Sequence, residues 1–177
     1  MKFKDLLSRA VKPRRPIEYI YYTLVILAGV ALDQLTKLLA VEYLMPIPTL
    51  PLIEDVLHLT YVENPGAAFG MLKDAPWVFN SFSVVAIVAI SLYLYLGHAE
   101  SHLYAVALSM IASGGIGNMI DRLSLGYVVD FIDFRLIDFA VFNGADSFVC
   151  VGAGLLILAM VLDIIKEARD TKNDSDR

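Results

Sequence analysis

The sequence predicts an all-α integral membrane protein, a four-transmembrane-helix bundle with a small extramembrane β element on its outer face. Three observations predict this class. Hydrophobic residues make up 58% of the 177 positions and charged residues 19%, with a mean hydropathy of +0.64, whereas soluble domains average roughly 45–50% apolar and about 25% charged residues. Four stretches are long and apolar enough to span a bilayer. One connection between them alternates apolar and polar residues as strands do.

The four apolar stretches cover about residues 17–40, 77–96, 102–120 and 147–165. Only helices and closed barrels satisfy their backbone hydrogen bonds in lipid, and continuous apolar runs lack the alternation of barrel strands. We therefore expect four helices within a single domain, residues 1–170. The polar tail, residues 171–177, is expected to be disordered.

The distribution of lysine and arginine predicts the orientation in the membrane. The connection at residues 41–76 holds one cation, and that at residues 121–146 holds two among five aspartates. Both chain ends hold more lysine and arginine residues and are therefore expected in the cytoplasm. The two connections are expected outside. The cations at the ends are Lys2, Lys4, Arg9, Lys12, Arg14 and Arg15, and then Lys166, Arg169, Lys172 and Arg177.

The first connection combines several prolines with the alternating run VLHLTYVE, residues 56–63, which predicts short strands outside the membrane. No nucleotide-binding loop is found, and no nucleic-acid partner is expected. Cys150 is the only cysteine, so an internal disulfide or a cysteine-rich zinc site is excluded. Function is therefore expected in the outer connections and at the ends of the spans.

Polar residues that are unusual for a membrane protein converge on one predicted membrane face. Ionisable residues at membrane depth are costly, and they usually face a functional interior. The convergence is therefore stronger evidence for a functional site than any single residue. The residues are Asp33, Lys37, Asn64, Asn118, Asp121, Arg122, Asp130, Asn143 and Asp146.

Several of these residues also have a purely structural explanation. Asp33 and Lys37 are four positions apart on a helix and could form an ion pair. Asp121 and Arg122 could be an exposed charge pair that ends the third span. Asp146 could be the N-cap of the fourth helix. From the local sequence alone these alternatives stay open.

Asp130 is harder to explain structurally, because it lies in the apolar run GYVVDFIDF, which would dip towards the membrane. A buried aspartate needs a partner or a raised pKa, and a second carboxylate supplies both. One member of such a pair keeps a proton and protonates a carbonyl oxygen, while the other activates water. Asp130 and Asp146 fit this metal-free peptide hydrolysis, whereas Asp133 and Asp138 look more exposed.

Five strings in order resemble the bacterial lipoprotein signal peptidase family, signal peptidase II, over nearly the whole chain: DQLTK (33–37), NPGAAFG (64–70), GNMIDR (117–122), VVDFID (128–133) and FNGADS (142–147). The resemblance implies an aspartic endopeptidase of the bacterial cytoplasmic (inner) membrane. It would cleave the signal peptide from diacylglyceryl-modified prolipoproteins immediately before the lipidated cysteine. It also implies contact with membrane lipids, inhibition by globomycin-like cyclic peptides, and no metal or other cofactor.

The resemblance assigns the catalytic pair to Asp130 and Asp146. Gly144 and Phe148 depart from the family pattern, which expects a bulkier aliphatic and a small residue there, and this is expected to alter the pocket shape near Asp146 but not the chemistry. The resemblance further implies substrate-binding or supporting roles for Asp33, Lys37, Asn64, Gly66, Asn118, Asp121, Arg122 and Asn143.

Two other functions were weighed against this one. A metal-dependent lipid transferase could use the aspartates of IDRLSLGYVVDFID as Mg²⁺ ligands, but the paired DxxDG and AR elements are missing. A proton-coupled transporter or membrane scaffold could use buried aspartates as a relay, but four spans without an internal repeat argue against it. Other intramembrane proteases are excluded, since HExxH and GxGD are absent and His58, His98 and His102 avoid the span centres.

Overall fold

The computed structural model of the protein describes residues 15–66, 76–97, 99 and 101–175. These residues form four α-helices and a three-stranded sheet, so the fold is mostly helical. The helices are α1 (Pro16–Tyr43), α2 (Pro76–Tyr95), α3 (His102–Ser124) and α4 (Gly144–Ser175), and the strands are β1 (Leu50–Ile53), β2 (Leu57–Asn64) and β3 (Val128–Phe134). A short 3₁₀ helix, Arg135–Ile137, follows β3.

Helix α1 buries one stripe of side chains and exposes the rest of its apolar surface. Pro16 stands at its start, where the missing N–H of proline costs no helical hydrogen bond. Most leucines on the other faces are more than half exposed, as expected for a helix whose outer surface meets lipid. The stripe recurs every three or four residues, and it consists of Tyr22, Ile26, Gly29, Asp33, Lys37 and Ala40.

Helix α3 is the central helix, and α1, α2 and α4 all pack against it. Small residues allow the close approach to α4. A Cβ added at Gly114 would collide with the carbonyl oxygen of Ala145, and one added at Gly152 would lie 2.8 Å from that of Ala107. The glycines of the SGGIGN string thus bring the start of α4 directly against α3.

Three helices are long and apolar enough to cross a membrane: Pro16–Tyr43, His102–Ser124 and Gly144–Asn173. They correspond to the first, third and fourth predicted spans. The apolar segment Asn80–Tyr95 of α2 is too short to count among them. The second predicted span therefore stays a prediction.

The sheet has the order β1-β2-β3, with both pairs antiparallel. The expected β element in the first connection is present as β1 and β2. Strand β3 was not expected, because VVDFIDF shows no regular alternation. Both faces of β3 are covered, which removes the alternation. Val129 packs with Ala40 of α1 and with Leu44, which directly follows α1, and Asp130 is 2% exposed.

The ends of the elements differ from the predicted limits in two places. Helix α4 begins at Gly144, three residues before the predicted span, and continues to Ser175, so the first part of the tail expected to be disordered is helical. The basic arm (residues 1–14), most of the NPGAAFG string (residues 67–70) and the last two residues lie outside the described residues.

Candidate active site

A buried lysine cluster, defined as Gln34, Lys37 and the two carboxylates Asp33 and Asp121, links α1 to α3. Lys37 is 3% exposed. Its Nζ lies 2.9 Å from Asp33 Oδ2 and 3.0 Å from Asp121 Oδ2, and it donates to Asn118 Oδ1 over 2.8 Å. Three acceptors match the three N–H bonds of an ammonium group. The predicted Asp33–Lys37 pair is confirmed, and Asp121 is a second partner, not an exposed helix end.

Gln34 completes the lysine cluster, although sequence reasoning did not select it. Its Nε2 donates to Asp121 Oδ1 over 2.9 Å and to the Gly117 carbonyl over 3.2 Å, and it lies 3.3 Å from Asp33 Oδ2. A Cβ at Gly117 would collide with the Asp33 carboxylate. The signal for Gln34 was its position in DQLTK, as a polar residue in an apolar span.

The side-chain amide of Asn118 connects the lysine cluster to Asp146. Its Oδ1 accepts from Lys37 and, over 3.0 Å, from Asn143 Nδ2. Since the oxygen is committed to donors, the nitrogen must point the other way. It donates to Asp146 Oδ1 over 2.8 Å. The charge of Lys37 thereby fixes which end of Asn118 faces Asp146.

Asn143 caps helix α4, and Asp146 does not, which corrects one interpretation left open by the sequence. Asn143 Oδ1 accepts from the Asp146 N–H over 2.9 Å, and Asp146 Oδ2 accepts from the Asn143 N–H over 3.3 Å. This reciprocal pair is a capping box. Asp146 therefore lies in the first turn of α4, close to the positive end of the helix.

Asn143 also holds Asp130, so that one residue contacts both predicted catalytic aspartates. Its Nδ2 donates to Asp130 Oδ1 over 2.6 Å. The other oxygen, Oδ2, accepts from Asn64 Nδ2 over 2.9 Å. Asn64 is itself oriented because its Oδ1 accepts from the Gly66 N–H over 3.0 Å. Strand β3 and the start of α4 thus bring Asp130 and Asp146, the aspartate pair, to one asparagine.

Burial raises the pKa of Asp130 to about 6, and the negative charge of Asp146 contributes to the rise. Hydrogen bonds from Asn64 and Asn143 act in the opposite direction, because they stabilise the carboxylate. The balance leaves an aspartate that holds a proton well above the usual pH range of the side chain. Such a group can donate a proton to a substrate near neutral pH.

Arg122 adds positive charge beside the aspartate pair. Its Nη1 donates to the Asn118 carbonyl over 3.4 Å, and its guanidinium interacts electrostatically with Asp146, Asp130 and Asp121. It is half-buried. Arg122 is therefore linked to the network by its hydrogen bond to a backbone carbonyl and by its charge. Gly66 is linked to the network through Asn64.

Asp133 lies on β3 three residues after Asp130 but belongs to a separate group. Its Oδ2 accepts from Thr60 over 2.7 Å and from Arg135 over 2.9 Å. Partial burial alone would raise its pKa, but these hydrogen bonds outweigh burial and lower it. Asp138 is exposed. Neither aspartate is bonded to the network around Asn143 in any contact of the described residues.

The chain resembles known proteins over most of its length. The family model described as signal peptidase (SPase) II matches residues 25–162. Two solved structures, each described as a bacterial membrane enzyme, resemble the fold with TM-scores of 0.73 and 0.70 at 31% and 32% sequence identity. The matches cover 81% and 79% of this chain and 89% and 92% of the solved chains.

Several curated relatives are named lipoprotein signal peptidase. The one from Caldanaerobacter subterraneus subsp. tengcongensis is 52% identical over 132 residues, which cover 75% of this chain and 90% of the relative. That from Clostridioides difficile is 45% identical, covering 77% and 92%. That from Brevibacillus brevis is 42% identical, covering 81% and 97%. Similarity thus extends over nearly the full length of these proteins.

Proposed function

The chain belongs to the signal peptidase II family, and we propose that it is a membrane aspartic endopeptidase acting on diacylglyceryl-modified prolipoproteins. It cleaves the signal peptide immediately before the lipidated cysteine. The names of the relatives support the substrate class. The observation that carries the mechanism is the position of Asn143, which donates to both Asp130 and Asp146.

In the proposed reaction Asp130 is the acid and Asp146 is the base. Asp146 lies at the positive end of α4 and accepts from Asn118 and from the Asn143 N–H, which suits an ionised group. It takes a proton from water, whose oxygen attacks the scissile carbonyl carbon, while Asp130 protonates the carbonyl oxygen. When the intermediate collapses, Asp146 returns a proton to the leaving cysteine nitrogen and Asp130 recovers its own.

The remaining site residues position these groups. The lysine cluster holds Asn118, and Asn64 with Gly66 holds Asp130. Arg122 stabilises negative charge that develops on the substrate. No cofactor takes part in this chemistry, because the two carboxyl groups supply the base and the acid. Globomycin-like cyclic peptides are expected to occupy the same site.

We place the protein in the bacterial inner membrane as a four-span bundle, with α2 as the second span. Residues 1–170 form one peptidase domain, and both termini are cytoplasmic. The lysine and arginine distribution supports this orientation. Asp130 lies between α3 and α4, and Asp146 lies in the first turn of α4, so the site is at the outer face, beside the acyl chains of a lipidated substrate.

The direct test uses the purified protein with two synthetic prolipoprotein peptides, one carrying diacylglycerol on its cysteine and one unmodified. Only the lipidated peptide should be cleaved, immediately before the cysteine, and EDTA should have no effect. Cleavage of both peptides alike, or loss of activity with the chelator, would contradict the proposal.

Variants of the aspartates assign the chemistry to individual residues. Asp130→Asn and Asp146→Asn should each lower kcat by about 10⁴-fold, because the loss of an acid or a base removes up to that factor. Asp133→Asn is the matched control, since it changes a neighbouring aspartate of the same strand, and it should cleave at nearly the normal rate. Substantial activity in either of the first two variants would remove that residue from the pair.

A further inference from the structure

Helix α2 turns one stripe of residues towards α3. The end of this stripe that lies nearer the outer membrane face is polar. Asn80, Ser83, Ile87, Ile90 and Leu94 follow each other at helical spacings of three and four, and each is at least partly buried. Phe82, Val85 and Val88 on the other faces are 72%, 65% and 50% exposed. The face of α2 that carries these three residues is therefore apolar, whereas Asn80 and Ser83 are turned towards the bundle.

Asn80 Oδ1 is buried and has no hydrogen-bond partner within the part of the chain that the structure describes. A buried acceptor without a donor destabilises a protein by roughly as much as a lost hydrogen bond contributes. A buried acceptor that lacks a donor among the described residues is suited to accept a hydrogen bond from a bound ligand.

The position of Asn80 along α2 is level with the catalytic site. Ile87 packs against Gly115 of α3, where an added Cβ would lie 3.0 Å from the isoleucine. From this contact Asn80 is seven residues further towards the outer face along α2, and Arg122 is seven residues further along the antiparallel α3. Both displacements are two helical turns, about 10 Å. Asn80 thus faces the level of Arg122, whose charge acts on Asp130 and Asp146.

The proposed substrate offers few donors at this point. Its diacylglyceryl group contains esters and a thioether, which only accept hydrogen bonds. Its polypeptide contributes one main-chain N–H per residue apart from proline. A peptide that passes between α2 and the aspartate pair would bring these N–H groups to the face of α2 that carries Asn80.

We propose that Asn80 is a substrate-binding residue, whose Oδ1 accepts a main-chain N–H of the prolipoprotein close to the scissile bond. This inference rests on the proposed function and deepens it, because it assigns α2 the role of a wall that aligns the peptide opposite the aspartate pair. Asn80 takes no part in proton transfer. Its contribution is to binding and alignment, so it should affect kcat/KM.

The test combines Asn80→Leu with a set of lipidated peptides in which one amide N–H at a time is replaced by an ester oxygen. The scissile amide is kept. In the unaltered protein one of these esters should lower kcat/KM roughly tenfold, as expected for a lost hydrogen bond to a buried acceptor. Asn80→Leu should lower kcat/KM of the all-amide peptide by a similar factor, and the same ester should then cause no further loss.

Ser81→Leu is the matched control, because Ser81 is the exposed neighbour on the same turn, and its response to the esters should be that of the unaltered protein. Asn80→Leu should also unfold at an unchanged or higher temperature, since it removes a buried unpaired acceptor. A substitution that merely damaged the fold would lower the unfolding temperature.

The proposal is overturned if each ester lowers kcat/KM by the same factor in Asn80→Leu as in the unaltered protein. It is also overturned if Asn80→Leu loses activity and thermal stability together. Failure of the unaltered protein to cleave any lipidated all-amide peptide is a different result, because it contradicts the proposed function itself.

Discussion

The lysine cluster and the aspartate pair each contain two carboxylates, but the partners of these carboxylates differ. Asp33 and Asp121 share the ammonium group of Lys37, at 2.9 and 3.0 Å. Asp130 and Asp146 receive hydrogen bonds from neutral amides. The positive charge of Lys37 lies within ion-pair distance of both carboxylates of the first group and compensates their burial. Amide donors leave the second pair free to exchange a proton.

This contrast separates the acids paired with a cation from the proposed catalytic acids within one connected network. Asn118 joins the two regions, since its oxygen accepts from Lys37 and its nitrogen donates to Asp146. The lysine cluster binds the side-chain oxygen of Asn118 and thereby sets the orientation of this amide. The carboxyl groups of the aspartate pair are then held in a fixed geometry but can gain or lose a proton. Acid–base catalysis needs both properties.

The largest expected effect comes from removing the cation. Lys37→Met leaves Asp33 and Asp121 buried without compensation, and we expect it to lower the free energy of unfolding by about 3–5 kcal/mol. Chemical denaturation in detergent micelles measures this. Adding Asp33→Asn and Asp121→Asn to the same chain should recover most of the loss. Normal stability of the single variant would show that Lys37 does not compensate the burial of the two carboxylates.

The second prediction separates the two tasks of Asn143. Asn143→Ser keeps an oxygen that can cap α4 but removes the Nδ2 donor to Asp130. We expect kcat to fall about 100-fold, as for a misplaced catalytic group, with nearly normal thermal unfolding. Asn143→Ala should in addition lower stability by about 1 kcal/mol, since it also removes the cap. If Asn143→Ser cleaves at the normal rate, the amide does not align the pair.

The smallest expected effect is a change of pH dependence. In the proposed mechanism the protonated Asp130 is the active form, so kcat/KM should fall as the pH rises through its pKa of about 6. Asn64 lowers this pKa because its amide stabilises the carboxylate. Asn64→Leu should therefore raise the pKa and shift the alkaline limb of the profile to higher pH. A shift to lower pH would contradict the assignment of the acid to Asp130.

Local patterns in the sequence predicted most of the fold. Apolar runs predicted the helices, and the alternation in residues 56–63 predicted the β element. They could not predict β3, because its alternation is lost where α1 covers one face and the site buries the other. The early start of α4 was also missed, since the capping residue is Asn143 and not Asp146.

The candidate site was predicted as a set of residues, but not as a network. The family strings named Lys37, Asn118 and Asn143 without showing that they form one chain of hydrogen bonds to Asp146. Gln34 was missed because its three acceptors lie on two helices, and only packing brings these together. Contacts between residues about 80 positions apart leave no local signature.

The most direct test of the contrast between the two regions is the infrared signal of protonated carboxyl groups, followed during a pH titration of the purified protein. Below the Asp130 pKa of about 6, one buried protonated carboxyl is expected, and it should disappear as the pH rises. The band should be missing in Asp130→Asn and present in Asp33→Asn and Asp133→Asn. A band that persists in Asp130→Asn, or that is lost in Asp33→Asn, would contradict the account.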